Sequence, residues 1–203
     1  GKPQVVYRET IAKKSAASVV FDKEIAGQRH FAEVSVQMAP LPRGTGNKFV
    51  NRIPADALPE LLITAFEKGV LESLESGSLM GYPVVDVEVK LVNTKYKESL
   101  GSELAYTVSA SMACKEAMNA GTPFLLEPIM TAEIFVPEAF MGDVIGDLNS
   151  RGGKIESIEH KSGAQVINAT VPLSQMFGYS TTLRSATQGR GTFSMQFSHF
   201  DRS

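Results

Sequence analysis

One arginine between two glycines stands in Gln188-Gly189-Arg190-Gly191. A guanidinium on a short, tight turn can fork onto a phosphate or onto a partner's carboxylate. The same residues also read as a plain helix-to-strand connection with a solvated arginine, since loops commonly carry both residue types. Other chemistry-bearing groups point away from catalysis. Glu138, Asp143 and Asp147, spaced by five and four, share the exposed side of a helix, which reads as a solvated face. Gly152-Gly153-Lys154 lacks the leading glycine and the following hydroxyl of a phosphate-cradling P-loop. There is no Gly-x-Ser-x-Gly and no histidine paired with a plausible nucleophile. The single cysteine, Cys114, excludes an internal disulfide. Among Ala and Met in a helical pattern, it reads as a buried structural thiol. His30, His160 and His199 are far apart and lack ligand spacing. The sequence therefore predicts no catalytic residue and no metal site.

The turn needs elements on both sides. Met176, Phe177, Tyr179 and Leu183 give a preceding helix its apolar side, with Ser174 expected as its N-cap. Phe193, Met195 and Phe197 alternate with polar residues in a following strand. Upstream, Ala132, Ile134 and Val136 alternate, and Pro137 opens a helix carrying Phe140, Met141, Val144, Ile145 and Leu148. Residues 154–159 and 165–171 flank a hairpin turn at Lys161-Ser162-Gly163. The order is βαββαβ, the split pattern of ferredoxin-like domains. Glu127-Pro128 marks the expected boundary with an earlier α+β domain. That domain has strands at 3–11, 31–38, 49–51, 85–91 and 124–126, and Asp86, Glu88 and Lys90 are expected to face outward. Its first helix runs from Pro59 towards Gly77, with Leu58, Leu62, Ala65, Phe66, Gly69, Val70 and Leu74 inward. Its second starts at Ser102-Glu103, with Leu104, Ala105, Val108, Met112, Ala113 and Ala117 inward. Residues 93–101 are a polar loop.

The 203 residues are 43% hydrophobic and 21% charged, enough to build a packed core. Residues 1–126 hold 14 basic and 14 acidic side chains, and residues 127–203 hold 6 and 8. Neither part has the basic excess of a protein that grips nucleic acid by bulk charge, so any RNA contact must be local. No apolar run approaches the ~20 residues of a membrane helix, and no leader peptide is visible. A start at Gly1 leading straight into a strand pattern suggests a piece of a longer protein.

A run of ordered landmarks adds a family reading. They are Gly1-Lys2-Pro3-Gln4-Val5 with Tyr7-Arg8-Glu9-Thr10-Ile11, Pro40-Leu41-Pro42-Arg43-Gly44, Gly81-Tyr82-Pro83-Val84-Val85-Asp86, and Leu126-Glu127-Pro128-Ile129-Met130. Phe140 to Asn149, Met176-Phe177-Gly178-Tyr179, and Leu183-Arg184-Ser185 with Thr187-Gln188-Gly189-Arg190-Gly191 continue the series. From Gly1 to about His199 the sequence resembles the C-terminal third of translation elongation factor G. The resemblance implies an α+β fold class. Residues 1–126 would be the family's fourth domain, similar in fold to ribosomal protein S5, and residues 127–203 its ferredoxin-like fifth domain. It also implies a cytoplasmic monomer that meets the ribosome and no membrane. This part would carry no cofactor, since GTP and magnesium belong to an N-terminal GTPase domain of the parent. In the family the fourth-domain arm enters the decoding site of the small subunit during tRNA–mRNA translocation. The fifth lies against the large subunit near the GTPase centre.

The arm's tip departs from the family pattern. Ala26-Gly27-Gln28-Arg29-His30-Phe31-Ala32 stands where Gly-Gly-Arg-Gly-Gln-Tyr-Gly is usual, and Tyr96-Lys97-Glu98-Ser99-Leu100-Gly101-Ser102-Glu103 replaces Tyr-His-Glu-Val-Asp-Ser-Ser-Glu. Lysine in the histidine's place is a point charge for phosphate that cannot stack or titrate near neutral pH. The resemblance implies tip RNA contacts at Gln28, Arg29, His30, Tyr96, Lys97 and Ser102. Large-subunit contacts would fall at Arg151, Lys154, Arg184, Gln188 and Arg190. Besides translocation, two readings stand: a parent specialised in ribosome recycling or remodelling, which the altered tip suggests, and a stand-alone RNA-binding module.

Overall fold

Local patterns close into two units in a computed structural model that describes residues 6–203: Tyr7–Leu126 and Glu127–Ser203. The first contains β1 (Arg8–Ile11), β2 (Ser15–Ile25), β3 (Gln28–Pro40), β4 (Lys48–Asn51), α1 (Glu60–Ser73), β5 (Val87–Lys95) and α2 (Glu103–Ala120). Alternation buries Ala17, Val19 and Phe21 of β2 and Ala32, Val34, Val36 and Met38 of β3 on one face. The sheet order is β2-β3-β5-β4, with β4 parallel to β5 and the other pairs antiparallel. Ala26 and Gly27 close the β2–β3 hairpin with φ of 52° and 80°, the left-handed pair that a two-residue hairpin turn requires. The buried sides of α1 and α2 join the covered sheet face in one core. The helices approach closely at Gly69, where an added Cβ would lie 2.6 Å from the Thr107 carbonyl oxygen.

Two buried carboxylates hold this unit's irregular segments. Glu9, 0% exposed, accepts the backbone N–H groups of Leu79, Met80 and Tyr82, each at 2.9 Å. Asp86, 3% exposed, accepts the N–H of Gly44 and Gly46 and pairs with the Arg43 guanidinium at 3.1 Å. Its own φ is 60°, a left-handed value that Asp tolerates better than most residues.

The second unit follows the expected βαββαβ order: β6 (Pro123–Val136, whose residues up to Leu126 belong to the first unit), α3 (Met141–Ser150), β7 (Lys154–Lys161), β8 (Ala164–Pro172), α4 (Tyr179–Ala186) and β9 (Thr192–Arg202). β6 lies between β9 and β8, and β7 is the outer partner of β8. The first four residues of β6 pair with β1, and Ile129–Val136 pair with β8. Val144, Leu148, Tyr179 and Leu183 from the helices meet Ala132, Ile134, Ile167, Ala169 and Val171 from the sheet. The chain is thus of the α+β class, as the sequence predicts.

Several local expectations change. The expected strands at 124–126 and 132–136 are one strand, because the backbone stays extended through Glu127-Pro128. β2 is an element the sequence reading passed over. Asp86 faces inward, where backbone N–H groups satisfy its charge. On α2, Leu104 and Met112 are exposed. The buried side is Ala105, Tyr106, Ser109, Ala110, Ala113, Cys114, Ala117 and Met118, and where α1 comes close, at Gly69, it meets the small Ala110 and the backbone of Thr107. Helix α1 ends at Ser73, before Gly77, and β5 extends through residues 93–95 of the expected loop. Ser174 lies in a short 3₁₀ turn and does not cap α4, which begins after Gly178 in a left-handed conformation. Pro3, Gln4 and Val5 of the expected first strand lie outside the described residues.

Candidate nucleic-acid interface

The tip residues of the first unit come from two places in the chain. Gln28 to Phe31 lie at the end of the β2–β3 hairpin, and Tyr96 to Ser102 join β5 to α2. Three contacts fasten the second segment to the first. The Phe31 N–H donates to the Leu100 carbonyl at 2.9 Å. His30 Nδ1 and Ser102 Oγ share a hydrogen bond of 2.7 Å. The Lys97 ammonium sits 4.0 Å from the centroid of the Phe31 ring, within cation–π range.

Each of these contacts has local support. Ser102 is the N-cap of α2, its hydroxyl accepting the Ala105 N–H at 3.1 Å. Leu100 and Gly101 both donate backbone N–H to the Lys97 carbonyl, which folds the segment into a compact turn. Gly101 is required there because an added Cβ would lie 2.5 Å from the Tyr96 ring. Behind the tip, Thr94 Oγ1 donates to the Glu33 carbonyl and accepts from the Tyr106 hydroxyl, both at 2.9 Å. Burial pushes the Tyr106 phenol up from its ordinary value; the Thr94 bond opposes the shift and Tyr96 adds to it.

Of the expected tip residues, His30, Lys97 and Ser102 are therefore brought together, and Tyr96 packs on the turn that carries Lys97. Arg29 turns along the hairpin to Asp22 at 2.9 Å, an exposed pair that adds at most about 1 kcal/mol. Gln28 is exposed beside it. Sequence reasoning missed Phe31 as a member of this group. Its signal was an aromatic residue directly after His30, at the end of an alternating strand.

The second set of expected contacts divides. Arg151 is largely enclosed, its side chain 15% exposed. Its Nε donates to Asp147 at 2.9 Å, Nη1 to the carbonyls of Gln175 and Phe177, and Nη2 to Thr182 Oγ1. The guanidinium also lies 5.1 Å from the Tyr179 ring centroid. Burial, then the Asp147 carboxylate, push the Tyr179 phenol up to about 12 against the opposing pull of Arg151. Arg151 thus ties the end of α3 to the segment leading into α4.

Lys154, Arg184, Gln188 and Arg190 are exposed. The turn carrying the last two is organised by Thr187, which is 0% exposed. Its hydroxyl donates to the Leu183 carbonyl and accepts the Gly191 N–H, both at 2.7 Å. An added Cβ at Gly191 would lie 2.9 Å from that hydroxyl. Gly189 donates to the Arg184 carbonyl, so Arg184, Gln188 and Arg190 belong to one rigid helix end and turn.

Glu138 and Asp143 are exposed, and Asp147 is spent on Arg151. Burial, slightly opposed by a hydrogen bond with Ser73, pushes the Cys114 thiol up from 9.0 to about 12. Among the described residues no group of His, Cys, Asp and Glu is placed to hold a metal ion, and no helix is long and apolar enough to cross a membrane.

Two family models match almost end to end. The model for elongation factor G, domain IV, covers residues 3–122, and the model for the elongation factor G C-terminus covers residues 124–203. An elongation factor G of Aquifex pyrophilus is 49% identical over 201 residues, which are 99% of this chain and 29% of that relative. A solved crystal structure of a protein from Thermus thermophilus superposes with a TM-score of 0.90 at 32% identity. That match takes in 99% of this chain and 30% of the other.

Proposed function

The chain belongs to the elongation factor G family, and on that premise we propose that it is the ribosome-contacting end of a translational GTPase that promotes tRNA–mRNA translocation. The GTPase centre, with its GTP and magnesium, belongs to a part of the parent protein outside this sequence, and the parent works in the cytoplasm as a monomer. The first unit acts as an arm that enters the decoding site. The second lies against large-subunit RNA through Lys154, Arg184, Gln188 and Arg190, with Arg151 shaping the surface from behind.

The observation that carries this reading is the tip. Two distant segments are locked together there, and the result is a small set of donors and one stacked ammonium at the end of a stiff hairpin. Such an arrangement works by position. It holds RNA in place and leaves the bond chemistry elsewhere.

The test is single-round tRNA–mRNA translocation by the full-length parent with GTP, beside its Lys97→Ala variant. The reading expects a slower step for the variant with GTP hydrolysis retained. Absence of translocation by the unaltered parent would sink it.

A further inference from the structure

We propose that Phe31 is a positioning residue: its ring holds the Lys97 ammonium in place to receive an RNA phosphate at the end of the arm. The inference rests on the ribosome-contact reading above and assigns a role to a residue that reading leaves out. A lysine side chain has several rotatable bonds, and ordering it on binding costs conformational entropy. Here the ordering is already done at both ends of the side chain. At its base, the Lys97 carbonyl takes two N–H groups of its own turn, and Phe31 holds that turn through Leu100. At its tip, the ammonium lies 4.0 Å from the Phe31 ring centroid.

The identity of the partner matters as much as its distance. Arg29 spends its charge on the Asp22 carboxylate, whereas the partner of Lys97 among the described residues is a ring. A carboxylate would neutralise the cation. A ring leaves its full charge, covers one side of it, and directs the remaining N–H donors to solvent. Phe31 is 6% exposed and belongs to strand β3, so the platform is carried by the hairpin and not by the segment that carries Lys97. His30 and Ser102 close the other side of the turn. A fixed ammonium with free donors suits a phosphodiester oxygen, which accepts hydrogen bonds over a wide range of directions.

The test measures binding of the 203-residue chain to small ribosomal subunits over a series of KCl concentrations. The unaltered chain is compared with Phe31→Leu, Phe31→Tyr, Lys97→Met and the variant that combines Phe31→Leu with Lys97→Met. Lys97→Met is expected to weaken binding and to reduce the slope of log K against log salt by roughly 0.7 to 0.9, the share of one phosphate contact. Phe31→Leu is expected to weaken binding roughly two- to fivefold while Lys97 is present and to add nothing once Lys97→Met has been made, while Phe31→Tyr restores it. Equal losses from Phe31→Leu with and without Lys97→Met would mean a general packing role and overturn the proposal. An unchanged salt slope in Lys97→Met would assign the ammonium to a protein carboxylate and overturn it as well. If the unaltered chain shows no binding at any salt, the ribosome-contact reading itself fails. A separate readout needs no ribosome: ring currents should shift the Lys97 side-chain protons upfield in the NMR spectrum, and Phe31→Leu should abolish that shift. Unshifted protons in the unaltered chain would refute the stacking directly.

Discussion

In the unit Tyr7–Leu126, Glu9 and Asp86 gather backbone N–H groups; in the unit Glu127–Ser203, Arg151 gathers backbone carbonyls. The charges are opposite because the orphaned backbone groups are opposite. The turns at 79–82 and 43–46 direct unpaired N–H groups inward, and an anion is what satisfies them. The segment 175–177, leaving a 3₁₀ turn, directs carbonyls towards α3, and the arginine at that helix's end has enough donors to take them. Charge in this protein is thus divided between two tasks. Some charged groups replace missing secondary-structure partners, and others, such as Lys97, Arg184 and Arg190, stay at the surface.

Removing a pin breaks the arrangement most. Glu9→Ala leaves three N–H groups without their acceptor and should cost on the order of 4 kcal/mol in urea denaturation. Glu9→Gln, keeping one oxygen, should cost about half as much. A loss for Glu9→Ala below about 1 kcal/mol would contradict the role given to this carboxylate. Arg151→Met should cost about 2–3 kcal/mol, with its effect confined to the second unit in amide hydrogen exchange. Arg151→Lys should recover less than half of that, since an ammonium cannot span Asp147, Gln175, Phe177 and Thr182 at once.

Gly191→Ala should cost about 1–2 kcal/mol by pressing on Thr187. Arg190→Ala, one residue away, should stay within about 0.5 kcal/mol of the unaltered chain. Near-equal losses for these two would blur the division between structural and surface residues.

A further effect appears only in alkali, where the two units behave alike. Burial raises the Cys114 thiol from 9.0 to about 12 in the first unit, and the Tyr179 phenol from 10.0 to about 12 in the second. A raised acid contributes stability in full below its unfolded value and loses it as pH climbs through the folded one. For Cys114 the loss therefore runs from pH 9.0 to about 12, at up to roughly 1.4 kcal/mol per pH unit. Cys114→Ala should make the alkaline decline of the first unit shallower and leave the second unchanged, as followed by NMR amide signals at rising pH. Identical declines in both proteins would rule out the buried thiol as the cause.

Much of this was legible in the residues. Strand β3 and the face of α1 followed from period-two and helical spacing, and the βαββαβ order of the second unit from alternation and turn residues. The 188–191 turn was visible from its glycines, although not the buried Thr187 beneath it. β2 went unread because small buried Ala17 and exposed Val20 weaken its contrast. The face of α2 was misjudged because an alanine-rich helix carries little hydrophobic contrast. Its buried side is chosen by the close approach of α1 at Gly69.

What the sequence determined by itself was local and collective: the periods of most elements, the chemistry of the turns, the near-neutral charge balance, and the motifs that place the chain in its family. What the tertiary structure alone decided was the fate of each charge. Glu9 alternates with Tyr7 and Ile11 on one face of its strand, yet only the closed fold supplies the N–H groups some 70 residues away that its carboxylate meets. Arg151 reads as a surface cation, yet besides the nearby Asp147 its acceptors lie 24 to 31 residues further along. Period and turn propensity depend on neighbours a few bonds apart, whereas satisfying an orphaned backbone group depends on whichever side chain the closed fold brings beside it.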